Sequence, residues 1–165
     1  MEIRPLFSEK QYFRQWWLYV LLFSINGMFV YACITQIGMG ITFGDKPMGN
    51  TGLIVTTIVF TVFTVLFLRQ HLATKIDETG IYIKFWPYHR TWRFYAWDDI
   101  ASCEVKQYKP ISEYGGWGLR FGAYNVSGNK GMLIKFRQYD NLMIGTQKPE
   151  ELKQLLKQLN KNYNE

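Results

Sequence analysis

Histidine and cysteine are scarce in this chain, with two of each in 165 residues. His71 and His89 sit on separate segments, and neither has a second ligand at metal-binding spacing, so no metal site is expected. Cys33 and Cys103 fall in parts of the chain of different character and make no disulfide framework, which favours a reduced, cytosol-facing domain. No block of like charges occurs, which argues against a nucleic-acid-binding arm. Catalytic groupings are also missing. Ser112 and Ser127 lack a histidine at any motif spacing, and Asp98 and Asp99, as neighbours in a strand, would point to opposite faces. The sequence therefore predicts no catalytic residue and no cofactor. Most informative is the absence of charge from Gln15 to Gly44 and again from Pro47 to Leu68.

Those two uncharged runs organise the chain. A hydrocarbon core of about 30 Å needs roughly 20 apolar residues of helix. Spans are expected at about 16–37 and 50–68, bounded by Arg14, by Asp45 and Lys46 between them, and by Arg69. A cleaved signal peptide would have a shorter, less aromatic apolar core. Val30-Tyr31-Ala32-Cys33 departs from a lipoprotein box at the bulky Tyr31, and apolar residues continue beyond Cys33. Within the spans, Asn26 of the first is expected to meet the stripe Thr57, Thr61 and Thr64 of the second, because hydroxyl side chains at i, i+4, i+7 share one helix face. With no ionisable acid or base inside, the hairpin reads as an anchor rather than a transport pathway.

The flanks give an orientation. Lys10 and Arg14 precede the first span, Arg69 and Lys75 follow the second, and the connecting loop is neutral, so both termini are expected in the cytoplasm. Phe7 to Tyr12 reads as a helix start, with Ser8 as N-cap, Gln11 closing a capping box, and Phe7 and Tyr12 as a hydrophobic staple. This lead-in helix would run into the first span, with Tyr12, Phe13, Trp16, Trp17 and Tyr19 at headgroup level beside Arg14. The N-terminal part is accordingly drawn as residues 1–71, the lead-in helix and hairpin, and the soluble part as residues 72–165.

Beyond the hairpin the pattern changes to period two. Strands are predicted at Ala73–Asp77, Ile81–Trp86, Thr91–Ala96, Ile100–Tyr108, Gly118–Phe121, Met132–Arg137 and Leu142–Gly145, separated by turn signals such as Glu78-Thr79-Gly80 and Ser127-Gly128-Asn129. A C-terminal helix is predicted over 149–161, with Pro149 at N1. Glu150 and Glu151 lie at its positive end, and Leu152, Leu155, Leu156 and Leu159 form its apolar stripe. The fold class is α+β: a two-helix transmembrane hairpin followed by seven antiparallel strands closed at one end by a helix.

Particular residues extend this outline. Trp97-Asp98-Asp99-Ile100 resembles the Trp-x-Asp-Ile lead into a strand of bacterial pleckstrin-homology-like domains. Tyr114-Gly115-Gly116-Trp117-Gly118-Leu119-Arg120, the stretch Ala123 to Gly131, and Ile144 to Glu150 are similar to small bacterial membrane proteins in which two spans precede such a domain. The resemblance covers about Leu72 to Leu159. It implies a barrel-like fold and a membrane location, and it carries no catalytic residues.

The segment Gly115 to Gly118 is the one whose composition asks for explanation. Glycines allow close backbone approach, Trp117 offers a ring, and Arg120 a cation that pairs with phosphate or carboxylate. Tyr114, Trp117 and Arg120, with Tyr124 and Asn125, form one candidate lip. A tight strand start with Trp117 in the core is the alternative. Arg90, Trp92, Arg93 and Tyr95 form a second, basic and aromatic cluster, either suited to headgroups or a solvated strand face. From Arg69 onward there are 15 basic and 10 acidic residues, out of a formal net charge of +6 for the chain. The expected function is a non-enzymatic module anchored in the cytoplasmic membrane, recognising a protein segment or an anionic lipid headgroup and no nucleic acid. An accessory subunit acting through its hairpin on a larger membrane complex is the alternative.

Overall fold

The computed structural model of the chain describes residues 5–160. It is an α+β protein that divides into two compact units. One is Arg14–Arg69, and the other is formed by the segments on either side of it.

The first unit is the apolar hairpin. Helix α1 (Trp16–Cys33) continues as one π-helical turn, Ile34–Gly38, and α2 (Asn50–Arg69) returns. Both are long and apolar enough to cross a membrane, and most of their surface is uncovered. The bounds lie close to those read from the charge gaps. In the turn between them Gln36 acts as a hub. Its Nε2 donates to Met48 O at 2.6 Å and to Asn50 Oδ1 at 2.9 Å, and its Oε1 accepts from Phe43 N at 3.3 Å.

The second unit begins before the hairpin. Residues Phe7–Tyr12 form a strand, β1, and not the expected lead-in helix. Its side chains alternate between buried Phe7, Glu9 and Gln11 and outward Ser8, Lys10 and Tyr12. Phe13, expected at headgroup level, is buried as well. After the hairpin come β2 (His71–Ile76), β3 (Gly80–Trp86) and β4 (Arg93–Ala96). Together they form an antiparallel four-stranded sheet in the order β1-β2-β3-β4. The β unit thus takes in chain from both sides of the hairpin, in place of the division at residue 71.

A 3-10 turn, Trp97–Asp99, leads into β5 (Ile100–Gln107). Trp97 Nε1 donates to Asp77 O at 3.0 Å and ties this turn to the one between β2 and β3. There follow α3 (Pro110–Tyr114), β6 (Gly118–Arg120), β7 (Ala123–Asn125), β8 (Lys130–Phe136) and β9 (Leu142–Gly145). The second sheet has the order β5-β8-β9-β7-β6, and β7 runs parallel to β9. Two expectations change here. The described residues form nine strands, β1 and β7 being additional, and neither sheet closes into a barrel.

The core lies between the inner faces. Leu72, Ile76, Ile81, Ile83 and Phe85 of the first sheet and Met132, Ile134, Met143 and Ile144 of the second are all buried. Helix α4 (Pro149–Gln158) packs against β5 with Leu152, Leu155 and Leu156 buried. It ends three residues before the expected 161, a position outside the described residues.

Candidate functional site

The polar residues of the hairpin meet each other. Asn26 Nδ2 donates to Thr64 Oγ1 and to Leu22 O, both at 2.8 Å, while its Oδ1 accepts from Thr61 Oγ1 at 3.1 Å. Thr57 Oγ1 lies 3.3 Å from Cys33 Sγ and donates to Leu53 O at 2.7 Å. These bonds are internal to the hairpin and join its two helices through side chains whose alternative in an apolar medium would be unpaired. Arg14, Trp16 and Trp17 are exposed at the start of α1, with Tyr19 half-buried, and Arg69 closes α2.

The glycine-rich segment has a different geometry from a ligand lip. Helix α3 ends on Gly115 at φ 70°, followed by Gly116 at 116° and Gly118 at 125°, a left-handed path that side chains other than glycine rarely follow. Gly115 N and Gly116 N donate back to Ile111 O and Pro110 O, closing the helix. Trp117 Nε1 donates to Gly128 O at 2.9 Å. Its ring lines a cleft of about 550 Å³ together with Tyr108, Pro110 and Ile111.

The other expected members point elsewhere. Tyr114 packs edge-on against Tyr108, ring centroids 5.7 Å apart. Asn125 is fully buried, its Oδ1 accepting from Gly118 N at 2.9 Å, so it holds β6 to β7. Tyr124 is buried and its hydroxyl accepts from Arg93 Nη1 at 2.8 Å. Arg120 is exposed, with its guanidinium beside Gly116. Of the five, Trp117 alone lines the cleft beside α3, while Asn125 is buried and Arg120 is exposed.

Arg93 links the two sheets. It lies on the inner side of β4, opposite Ile83, and reaches Tyr124 of β7. The His89 ring stands edge-on to Tyr124 at 5.4 Å, and His89 Nδ1 accepts from Phe85 N at 3.2 Å. Burial first, and then the neighbouring Arg93 charge, holds the His89 pKa below its ordinary value. Burial raises the Tyr124 pKa, with Arg93 opposing. Arg90 stays exposed on the loop before β4. Burial, reinforced by Glu104, pushes the Cys103 thiol up to about 12, which leaves it unreactive. Among the described residues no three His, Cys, Asp or Glu side chains are placed to hold a metal.

The surface with the most ordered chemistry is one that reading the segments singly misses: the outer face of sheet β1–β4. The register sets its rows. Tyr12, His71 and Trp86 form the first, Lys10, Ala73 and Lys84 the second, and Ser8, Lys75, Tyr82 and Phe94 the third. His71 stacks on Trp86 at 5.9 Å with the planes 10° apart, and Tyr12 lies 5.3 Å from His71 on its other side. Lys10 Nζ sits 5.3 Å from the Tyr12 ring centre and Lys75 Nζ 4.8 Å from that of Trp92. Tyr82 and Phe94 pair at 4.7 Å. No row carries a carboxylate, since Glu9 points to the inner side. Along the sequence this face shows within β3, where Tyr82, Lys84 and Trp86 alternate with buried Ile81, Ile83 and Phe85. Its members on β1 come from across the hairpin and cannot be found without the register.

No protein-family model matches this chain, and no curated protein matches it in sequence.

Proposed function

We propose that this protein is a membrane-anchored, non-catalytic binding module. Its hairpin is a two-span anchor, and its β unit, of pleckstrin-homology-like descent, recognises an anionic partner at the cytoplasmic surface of the inner membrane. One observation carries the reading. The apolar hairpin is inserted between β1 and β2, which pair side by side with Tyr12 opposite His71. Paired strands must share one aqueous compartment, so a hairpin between them can cross a bilayer only an even number of times, and α1 and α2 supply two crossings. Basic flanks favour the cytoplasm as that compartment. The carboxylate-free lysine and aromatic face gives the module its recognition surface, and the buried Cys103 and tied His89 leave little for acid–base or nucleophilic chemistry.

The test is cysteine labelling of the full chain in intact cells, with Cys33→Ser as background. Asp45→Cys in the hairpin turn should react with a membrane-impermeant maleimide from outside. Lys153→Cys on α4 should react only after permeabilisation, and both proteins should stay in the membrane pellet after alkaline carbonate washing. Release by carbonate, or equal labelling of both sites in intact cells, sinks the proposal.

A further inference from the structure

We infer that the lysines around Ala73 form a site for the phosphate of an anionic phospholipid. On the outer face of sheet β1–β4, Ala73 has four nearest neighbours: Lys10 on β1, Lys84 on β3, and Lys75 and His71 two residues away on β2 itself. Strands lie about 4.8 Å apart, so the Lys10 and Lys84 backbones flank Ala73 at roughly 10 Å from each other. Residues two apart on a strand are separated by about 7 Å. A lysine stem is long enough to bring its ammonium over the alanine from any of these positions. The methyl group at the centre leaves a shallow cup that any larger side chain would fill.

Three like charges around one small residue repel each other unless something anionic is shared. Among the described residues the ion pairs are Lys106–Glu104 and Lys148–Glu151, neither on this face. In place of carboxylates, Lys10 rests on the Tyr12 ring and Lys75 on that of Trp92. Such contacts are weak at exposed sites, so an anion can draw both ammonium groups over Ala73. Lysines act as point charges, which suits a phosphodiester approached from several sides and asks for no bidentate geometry.

A lipid, rather than a soluble phosphate, is favoured by what borders the cup. The adjoining row is the ring ladder Tyr12–His71–Trp86. From that row the chain reaches α1 after Phe13, Arg14 and Gln15, and α2 joins β2 through Gln70 alone. Tyr12 and His71 thus stand four and two residues along the chain from the apolar helices, and amphipathic rings at that separation in sequence suit the glycerol region of a leaflet, with phosphate beyond it. The choice of lipid as occupant rests on the membrane-anchored reading.

The experiment is native mass spectrometry of the full chain released from detergent micelles, titrated with phosphatidylglycerol, phosphatidylcholine or, as the soluble arm, glycerol phosphate. The wild type should retain phosphatidylglycerol over phosphatidylcholine. The combined Lys10→Gln, Lys75→Gln, Lys84→Gln protein should lose on the order of a hundredfold in that affinity, from about fivefold per cation. Ala73→Glu, which fills the cup with a carboxylate, should lose as much. A control of equal charge, Lys109→Gln, Lys130→Gln, Lys153→Gln, should keep the preference. Retention by the first triple variant, or equal loss by the control, overturns the site. Glycerol phosphate binding as tightly as the lipid overturns the choice of occupant. Failure of the anchor would show separately, as extraction by carbonate in the labelling experiment, while the micelle titration would still report on the cup.

Discussion

At the scale of single residues, the surroundings of His89 fix its protonation state. Its Nδ1 accepts the Phe85 N–H, its Nε2 is buried without a hydrogen-bond partner, and Arg93 adds a repelling charge. All three favour the neutral ring in the folded state. The folded pKa therefore lies below the unfolded value of about 6.5, and between the two the unfolded chain binds more protons. Stability should rise with pH across that window and reach its full value above about 6.5. Thermal melts in a pH series should show this rise for the wild type and a flatter profile for His89→Gln; identical profiles would refute it. None of this was legible beforehand, because His89 has no motif and its partners lie on β3, β4 and β7. Tyr124 and Asn125 were visible as polar and aromatic residues beside a glycine cluster, which is the composition of a binding loop. It is also the composition of a tight two-strand corner, where Asn125 is needed to accept the Gly118 N–H. Composition alone does not separate the two.

At the scale of elements, β1 is the strand that the local pattern disguised. Its inward side chains are Phe7, Glu9 and Gln11, and its outward ones include Tyr12, so the usual apolar-in, polar-out alternation is partly inverted. Ser8 and Gln11, three apart, then imitate a capping box. The inversion has a cause on the far side of the core. Glu9 accepts from Thr146 Oγ1 and Gln147 N, each at 2.7 Å, and Gln11 Nε2 donates to Gly145 O at 2.7 Å. These bonds lash β1 to the end of β9. Glu9→Ala should leave two donors unsatisfied, one fully buried and one partly so, and cost about 3 kcal/mol, with Glu9→Gln milder because one oxygen remains. Native-state hydrogen exchange should accelerate in β1 and in residues 145–147 of Glu9→Ala. Unchanged protection there would refute the lashing. By contrast α4 was readable, since its leucine stripe and its Pro149 start need no distant partner, and all its buried leucines belong to that stripe.

At the scale of the whole molecule, two kinds of information were legible to different degrees. The hairpin was plain because an absence of charge over two long runs is a local property. The antiparallel strands after it were largely plain because period-two patterning is local too. Sheet membership across the hairpin, the parallel β7–β9 pair and the lysine cup are all matters of register between segments far apart in sequence. Tyr12 and His71 are direct cross-strand neighbours, and such Cα atoms lie only about 5 Å apart. A short Asn-Gly turn in place of residues 13–70 should therefore join β1 to β2 without disturbing either sheet. The resulting protein should be soluble, with the circular dichroism of the β unit and its melt retained. Aggregation, or loss of the β signal, would show that the sheet depends on the hairpin.

That same 5 Å gap makes the hairpin an interchangeable cassette. Any pair or larger even number of long apolar helices, or none, could occupy the gap between Tyr12 and His71 while the sheet kept its register. A lineage could thus gain or lose its apolar hairpin by a single insertion or deletion in a turn, with the outer face of the sheet inherited intact.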